Sequence, residues 1–135
     1  MACLDTTILI DLGRRTSPRK EQAIRKIAEL TAQGQTIVTT RFNVAELYVG
    51  MSRSGHPEED EKAVQTLLSR FEILEFTDAA ARLFAFSTRF LQQIGKPAGT
   101  MDVLIAATAM AYGHTLITRN TQHFRHIPLL AVEEY

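Results

Sequence analysis

The sequence predicts an α/β fold, a three-layer α/β/α sandwich around a mainly parallel sheet of four or five strands. Short apolar runs alternate with longer segments of helical periodicity along the whole chain, the pattern of strands joined by helical crossovers. A chain of 135 residues, 45% apolar and 22% charged, can also bury a sheet core without disulfides or a structural metal. That length fits one domain over 1–135 and leaves no room for a second.

Strands are expected at 2–5, 36–39, 72–76 and 115–118, with a weaker fifth at 129–132. Between the first two, Ser17 is placed to cap a helix whose first position is Pro18. Ile24, Ile27, Ala28 and Thr31 repeat there at i, i+3, i+4 and i+7, and Gly34 supplies the stop. Val44, Leu47, Tyr48 and Met51 repeat the same spacing in the next helix, which gives out near Ser54 and Gly55, and Pro57 opens another that runs to Leu68. Thr77 can cap a helix from Asp78, with a stripe of Leu83, Phe84, Phe90, Leu91 and Ile94 that ends at Gly95 and Pro97. Residues 101–112 are apolar nearly all round, which predicts an interior helix wedged against the sheet. No internal repeat, low-complexity tract or linker interrupts this order.

Charge and composition remove several classes of function. Fifteen basic and fifteen acidic residues leave no net charge, so contact with nucleic acid must come from local patches rather than from a molecular field. The densest is Arg14, Arg15, Arg19 and Lys20, a run that equally suits a solvated loop. Arg41, Arg53, Lys96 and Arg119 are further candidates at the sheet's carboxyl edge. Cys3 is the sole cysteine, so no intramolecular disulfide forms, and the N-terminus lacks the layout of a secretory signal. The longest apolar stretch, 103–112, falls short of the roughly 20 residues of a membrane span. A cytoplasmic protein without membrane contact is the expectation. No P-loop, dinucleotide glycine fingerprint, H-E-x-x-H or G-x-S-x-G occurs. His123 and His126 lack a third zinc ligand nearby in sequence.

Ligands of an open parallel sheet gather at the carboxyl ends of its strands. Asp5 closes the first strand, Glu46 lies in the first turns of the helix after the second, and Asp102 near the start of the helix before the fourth. Two carboxylates about 4 Å apart repel by roughly 4 kcal/mol at an effective dielectric of 20, and a hard divalent cation relieves this best. Each acid also has a plainer reading. Asp5 can cap the following short helix, Asp102 can answer a helix dipole, and Glu46, about 200° round the helix from Val44, can simply face solvent.

The segments Leu4-Asp5-Thr6-Thr7-Ile8-Leu9-Ile10, Val44-Ala45-Glu46-Leu47, 101–109 (MDVLIAATA) and Leu116-Ile117-Thr118-Arg119-Asn120 with Phe124 resemble the PIN-domain nucleases, in particular the VapC-type toxins of bacterial toxin-antitoxin pairs. The resemblance spans almost the whole chain. It implies that Asp5, Glu46 and Asp102 bind Mg²⁺ or Mn²⁺ and position water for attack on an RNA phosphodiester, leaving 5′-phosphate and 3′-hydroxyl ends. Thr6, Thr118, Arg119 and Asn120 are implied to support the site or contact substrate. The implied partners are RNA, a cognate antitoxin protein and a second copy in a homodimer. Many members place a fourth acid in the loop after the fourth strand, where this chain has Asn120 and His123, so one and two metal ions both remain open.

Two other classes stay in view. A PIN-like module with impaired catalysis would bind RNA or protein without cutting. A phosphotransfer domain would use Asp5 as acceptor, although a phosphatase pattern needs a second Asp where Thr7 stands.

Overall fold

The computed structural model describes residues 1–135 as an α/β sandwich. Its strands are β1 (Ala2–Leu4), β2 (Ile37–Thr40), β3 (Glu72–Leu74), β4 (Thr115–Ile117) and β5 (Val132–Glu133). All pairs are parallel and the order is β3-β2-β1-β4-β5. The helices are α1 (Thr6–Gly13), α2 (Pro18–Ala32), α3 (Arg41–Ser52), α4 (Pro57–Leu68), α5 (Asp78–Gln93), α6 (Thr100–Ala111) and the short α7 (Thr121–Phe124). No helix is long and apolar enough to cross a membrane.

Strand side chains alternate between faces, and the two cores follow from that. Ala2 and Leu4 of β1 and Ile117 of β4 pack with Ile8, Leu9, Leu30, Val44 and Leu68 of α1–α4. Cys3 and Leu116 face the other way, against Leu91, Ile105, Ala106 and Phe124 of α5–α7. The interior helix is α6, where Val103 and Ile105 to Ala109 are all buried.

Element ends depart from the sequence expectation where one residue serves two neighbours. Asp5 leaves β1 to become the residue before α1. Thr40 extends β2 to its own position and caps α3 as well, accepting from the Asn43 N–H at 3.2 Å. The fifth strand was expected at 129–132 but pairs only through Val132 and Glu133. Leu129, after Pro128, takes φ 67° and is 81% exposed, so the chain is still turning there.

Helix α2 begins as expected, with Ser17 accepting from the Lys20 N–H at 3.2 Å and Pro18 in first position. It ends at Gly34, whose φ of 71° lets the N–H groups of Gly34 and Gln35 return to the carbonyls of Thr31 and Leu30, both at 3.0 Å. Its buried face is a correction. Ala23, Lys26 and Leu30 point inward, while Ile24 is 49% exposed and Ala28 and Thr31 face solvent. The Lys26 stem lies in the interface and its ammonium emerges to pair with Glu133 of β5, which turns the helix away from its apparent apolar stripe.

This strand order creates the feature that matters for function. β2 lies on one side of β1 and β4 on the other, so the crossovers diverge and leave a crevice beyond the carboxyl ends of β1 and β4. Asp5 and Thr118 stand at those two ends.

Candidate active site

Asp5 is 5% exposed, and its side chain makes no cap bond to α1. Instead the carboxylate accepts from the Thr118 hydroxyl at 2.7 Å and from Asn43 Nδ2 at 3.2 Å. The plain reading of Asp5 as a helix cap is thereby set aside.

Asn43 is fully buried in the first turn of α3. Its Oδ1 accepts from the Thr40 hydroxyl at 2.7 Å and from the Thr40 N–H at 3.3 Å, completing a reciprocal capping box. Its Nδ2 also donates to the Thr6 hydroxyl at 2.9 Å, and Thr6 in turn donates to Glu46 Oε1 at 2.6 Å. The α3 cap is thus the pivot that holds Asp5, Thr6 and Glu46 together. On the far side, the Thr118 oxygen accepts the Asn120 N–H at 3.0 Å and lies 3.3 Å from the Thr7 hydroxyl.

Asp102 sits in the first turn of α6, with one carboxylate oxygen 3.7 Å from His123 Nδ1. Asp5, Glu46 and Asp102 share the wall of one cavity of about 330 Å³ with Thr6, Asn120 and His123. Three acids far apart in sequence therefore face one space.

Their proton affinities record the crowding. Burial raises the Asp5 carboxyl, against the opposing hydrogen bonds from Thr118, the Thr6 backbone and Asn43. Burial also raises Glu46, opposed by the Thr6 hydroxyl and reinforced by the charges of Asp5 and Asp102. Asp102 is raised by burial, lowered by His123 and raised again by Asp5. Each acid is harder to ionise than a free carboxyl, Asp5 through dehydration, Glu46 and Asp102 through dehydration and like charge together.

Carboxylate, amide and hydroxyl oxygens form a hard donor set suited to Mg²⁺ or Mn²⁺. No group of three or more His, Cys, Asp or Glu side chains is arranged to hold an ion unaided. An ion held by these residues would complete its coordination with water or substrate oxygens.

Of the residues named from sequence, Thr6, Thr118 and Asn120 stand in or directly behind this cavity. Arg119 does not. Its guanidinium turns to Asp11, while its N–H donates to Thr7 Oγ1 at 3.1 Å. Arg14 is taken by the same Asp11 at 2.9 Å, and Arg41 by Glu75 at 2.6 Å.

Asp11 escaped the sequence reading although it is wholly buried. It accepts from Arg14, Arg119 and, at 2.7 Å, the Tyr135 hydroxyl. Burial raises its carboxyl, but the bonds from Tyr135, Arg119 and Arg14 outweigh this and hold it below the ordinary aspartate value. A signal existed: Asp11 lies three residues after Ile8 and four after Thr7, on the inward side of α1. Asn43 was also missed, and its signal was the Thr40-x-x-Asn43 spacing of a cap.

The family model for the PIN domain matches residues 2–129. Among curated proteins, the chain is similar to ribonuclease VapC2 of Rickettsia felis, 35% identical over 107 residues that cover 79% of this chain and 80% of that one. It is also similar to the tRNA(fMet)-specific endonuclease VapC of Shigella flexneri, 29% identical over 132 residues, covering 98% and 96%. Among solved structures, VapBC2 from Rickettsia felis bound to a DNA fragment from their promoter superposes with a TM-score of 0.89 at 29% identity, covering 99% of this chain and 98% of that chain.

Proposed function

The chain belongs to the PIN-domain family, among the VapC ribonucleases, and from this we propose that it is a divalent-metal-dependent endoribonuclease whose metal-holding acids are Asp5, Glu46 and Asp102. The observation that carries the assignment is the shared cavity of these acids at the sheet's switch point.

When bound there, Mg²⁺ or Mn²⁺ supplies a Lewis acid for a phosphoryl oxygen and charge to offset the leaving group. The protein supplies placement. Thr118 and Asn43 hold Asp5 in one orientation, and Thr6 holds one Glu46 oxygen, leaving Oε2 to take a proton from attacking water. The raised proton affinity of Glu46 suits that role. Asn120 and His123, on the same wall, offer contacts to phosphate oxygens. Single-stranded or looped RNA is the substrate form, since its scissile phosphate can reach a recessed site.

The physiological role is that of the toxin in a toxin-antitoxin pair, acting as a homodimer and inhibited by an antitoxin. Three acids in one cavity suit an inhibitory Arg from the antitoxin, because a guanidinium can occupy a field built for a cation. An apolar groove of about 440 Å³ between α1, α3 and α4, sharing Ile10 and Glu46 with the acid cavity, supports a protein partner on that side.

Purified protein incubated with total RNA and Mg²⁺ or Mn²⁺ should yield discrete fragments with 5′-phosphate ends, and EDTA should stop the cutting. RNA that stays bound but intact in every metal would transfer the assignment to a binding module, a reading favoured by the missing fourth acid.

A metal-linked stability follows from the raised acids. Their folded values exceed their unfolded ones, so these three groups take stability from the metal-free protein as pH rises, while His114, held below its ordinary value by burial, acts in the opposite sense. The melting temperature that Asp5→Asn gains over wild type in EDTA should therefore be larger near pH 7.5 than near pH 4, a difference in which His114, common to both proteins, cancels. Added Mg²⁺ should raise the melting point at the higher pH and lose effect at the lower, where protons compete for the carboxylates. A Mg²⁺ effect independent of pH would contradict the site.

A further inference from the structure

We propose that a second cleft, beside the acid cavity, seats the nucleotide adjoining the scissile phosphate, with Lys96 as the ligand of that nucleotide's phosphate and the cleft as a determinant of which base is accepted. The proposal rests on the nuclease reading and extends it to substrate selection. The cleft has a volume of about 470 Å³ and lies between the turn after α5, the start of α6 and α7. It shares Asp102 and His123 with the acid cavity, so the two adjoin across that pair, and a nucleotide next to one whose phosphate lies at the acids is within its reach.

Its chemistry is that of a nucleotide site. Leu91 and Ile127, both nearly fully buried, close its back, and the more exposed Pro97 and Ala98 of the turn offer the apolar surface that a base can meet. Gln122 and His126 stand on the polar rim. The imidazole of His126 and the amide of Gln122 each offer hydrogen-bonding groups to a base edge. The volume falls within the range of ordinary small-ligand clefts, larger than a bare phosphate needs.

Lys96 is distinguished by its place. Arg14, Arg41 and Arg119 are each committed to a carboxylate, whereas the Lys96 ammonium, like Arg53, has no ion-pair partner, and of these cations it alone lines the cleft that adjoins the acids. In a molecule without net charge, such an uncommitted cation beside the proposed metal site is a natural phosphate ligand.

The test measures binding of a short fluorescein-labelled single-stranded RNA by anisotropy, with EDTA present so that affinity is read without cutting. Lys96→Ala should weaken binding about tenfold and flatten the log–log salt dependence by about 0.7. Lys96→Arg should keep both, and Arg82→Ala, on the exposed face of α5, should change neither. In end-mapped cleavage with metal, Gln122→Ala and His126→Ala should alter the base preferred beside the cut. Wild-type affinity and salt slope in Lys96→Ala, together with unchanged preference in the other two, would overturn the subsite while leaving the nuclease assignment standing. Lys96-dependent binding by a protein that never cuts would overturn the nuclease assignment instead and retain the cleft as an RNA site.

Discussion

Asp5→Asn is expected to lower the cleavage rate by about a thousandfold or more while making the metal-free protein more stable, by about 1 kcal/mol. The amide keeps the size of the carboxylate and its oxygen can still accept the Thr118 hydroxyl, but its NH₂ then faces the Asn43 amide nitrogen, so the longer 3.2 Å bond from Asn43 is lost and offsets part of the gain. What disappears is a negative charge that is 5% exposed, dehydrated and set against Glu46 and Asp102. Without a cation that charge only opposes folding, and with one it helps hold the ion. Single-turnover cleavage and urea unfolding in EDTA measure the two effects on one sample. Full activity in the variant would count against the site.

Asp11→Ala should do the reverse, costing about 3 kcal/mol of stability with no direct part in the chemistry. Its fully buried carboxylate is the common acceptor for Arg14, Arg119 and Tyr135. Its removal leaves a half-buried guanidinium and a phenol without their partner. Tyr135→Phe removes one bond and should cost about 1 kcal/mol. Because the folded Asp11 value lies below the unfolded one, its stabilising contribution is complete above the ordinary aspartate range and is lost as pH falls through the depressed folded value. Urea unfolding of Asp11→Ala should therefore lose the acid-side decline that this group gives the wild type. A cost under about 0.5 kcal/mol would mean the cluster is ornamental.

The two aspartates show what could be read from the chain in advance. Local rules with nearby partners were legible. Ser17-Pro18, Pro57 and Thr77 each begin helices where capping chemistry places them, and α6 is interior because its sides are apolar all round. The three acids could be nominated because strand ends are where a parallel sheet gathers its ligands.

What stayed hidden depended on partners brought in by tertiary structure. Lys26 points inward only because Glu133 lies across from it, and no periodicity within α2 contains that information. Arg119 follows Thr118 at the active crevice, yet its side chain leaves because a buried acid on α1 and the Tyr135 hydroxyl meet there. Asn43 carried only the local spacing of a cap, Thr40-x-x-Asn43. Its second role required Asp5 and Thr6 to lie opposite one end of its amide while Thr40 held the other.

Cys3 lies on the middle strand of the sheet, two positions before Asp5, with no solvent exposure. Burial, and then the neighbouring Asp5 charge, push its thiol up to about 12, so at neutral pH it is neither reachable nor nucleophilic. Alkylating reagents and mild oxidants should leave the native enzyme working. Any pairing of two copies must hold through surface complementarity alone, with no covalent sulfur link to lock it.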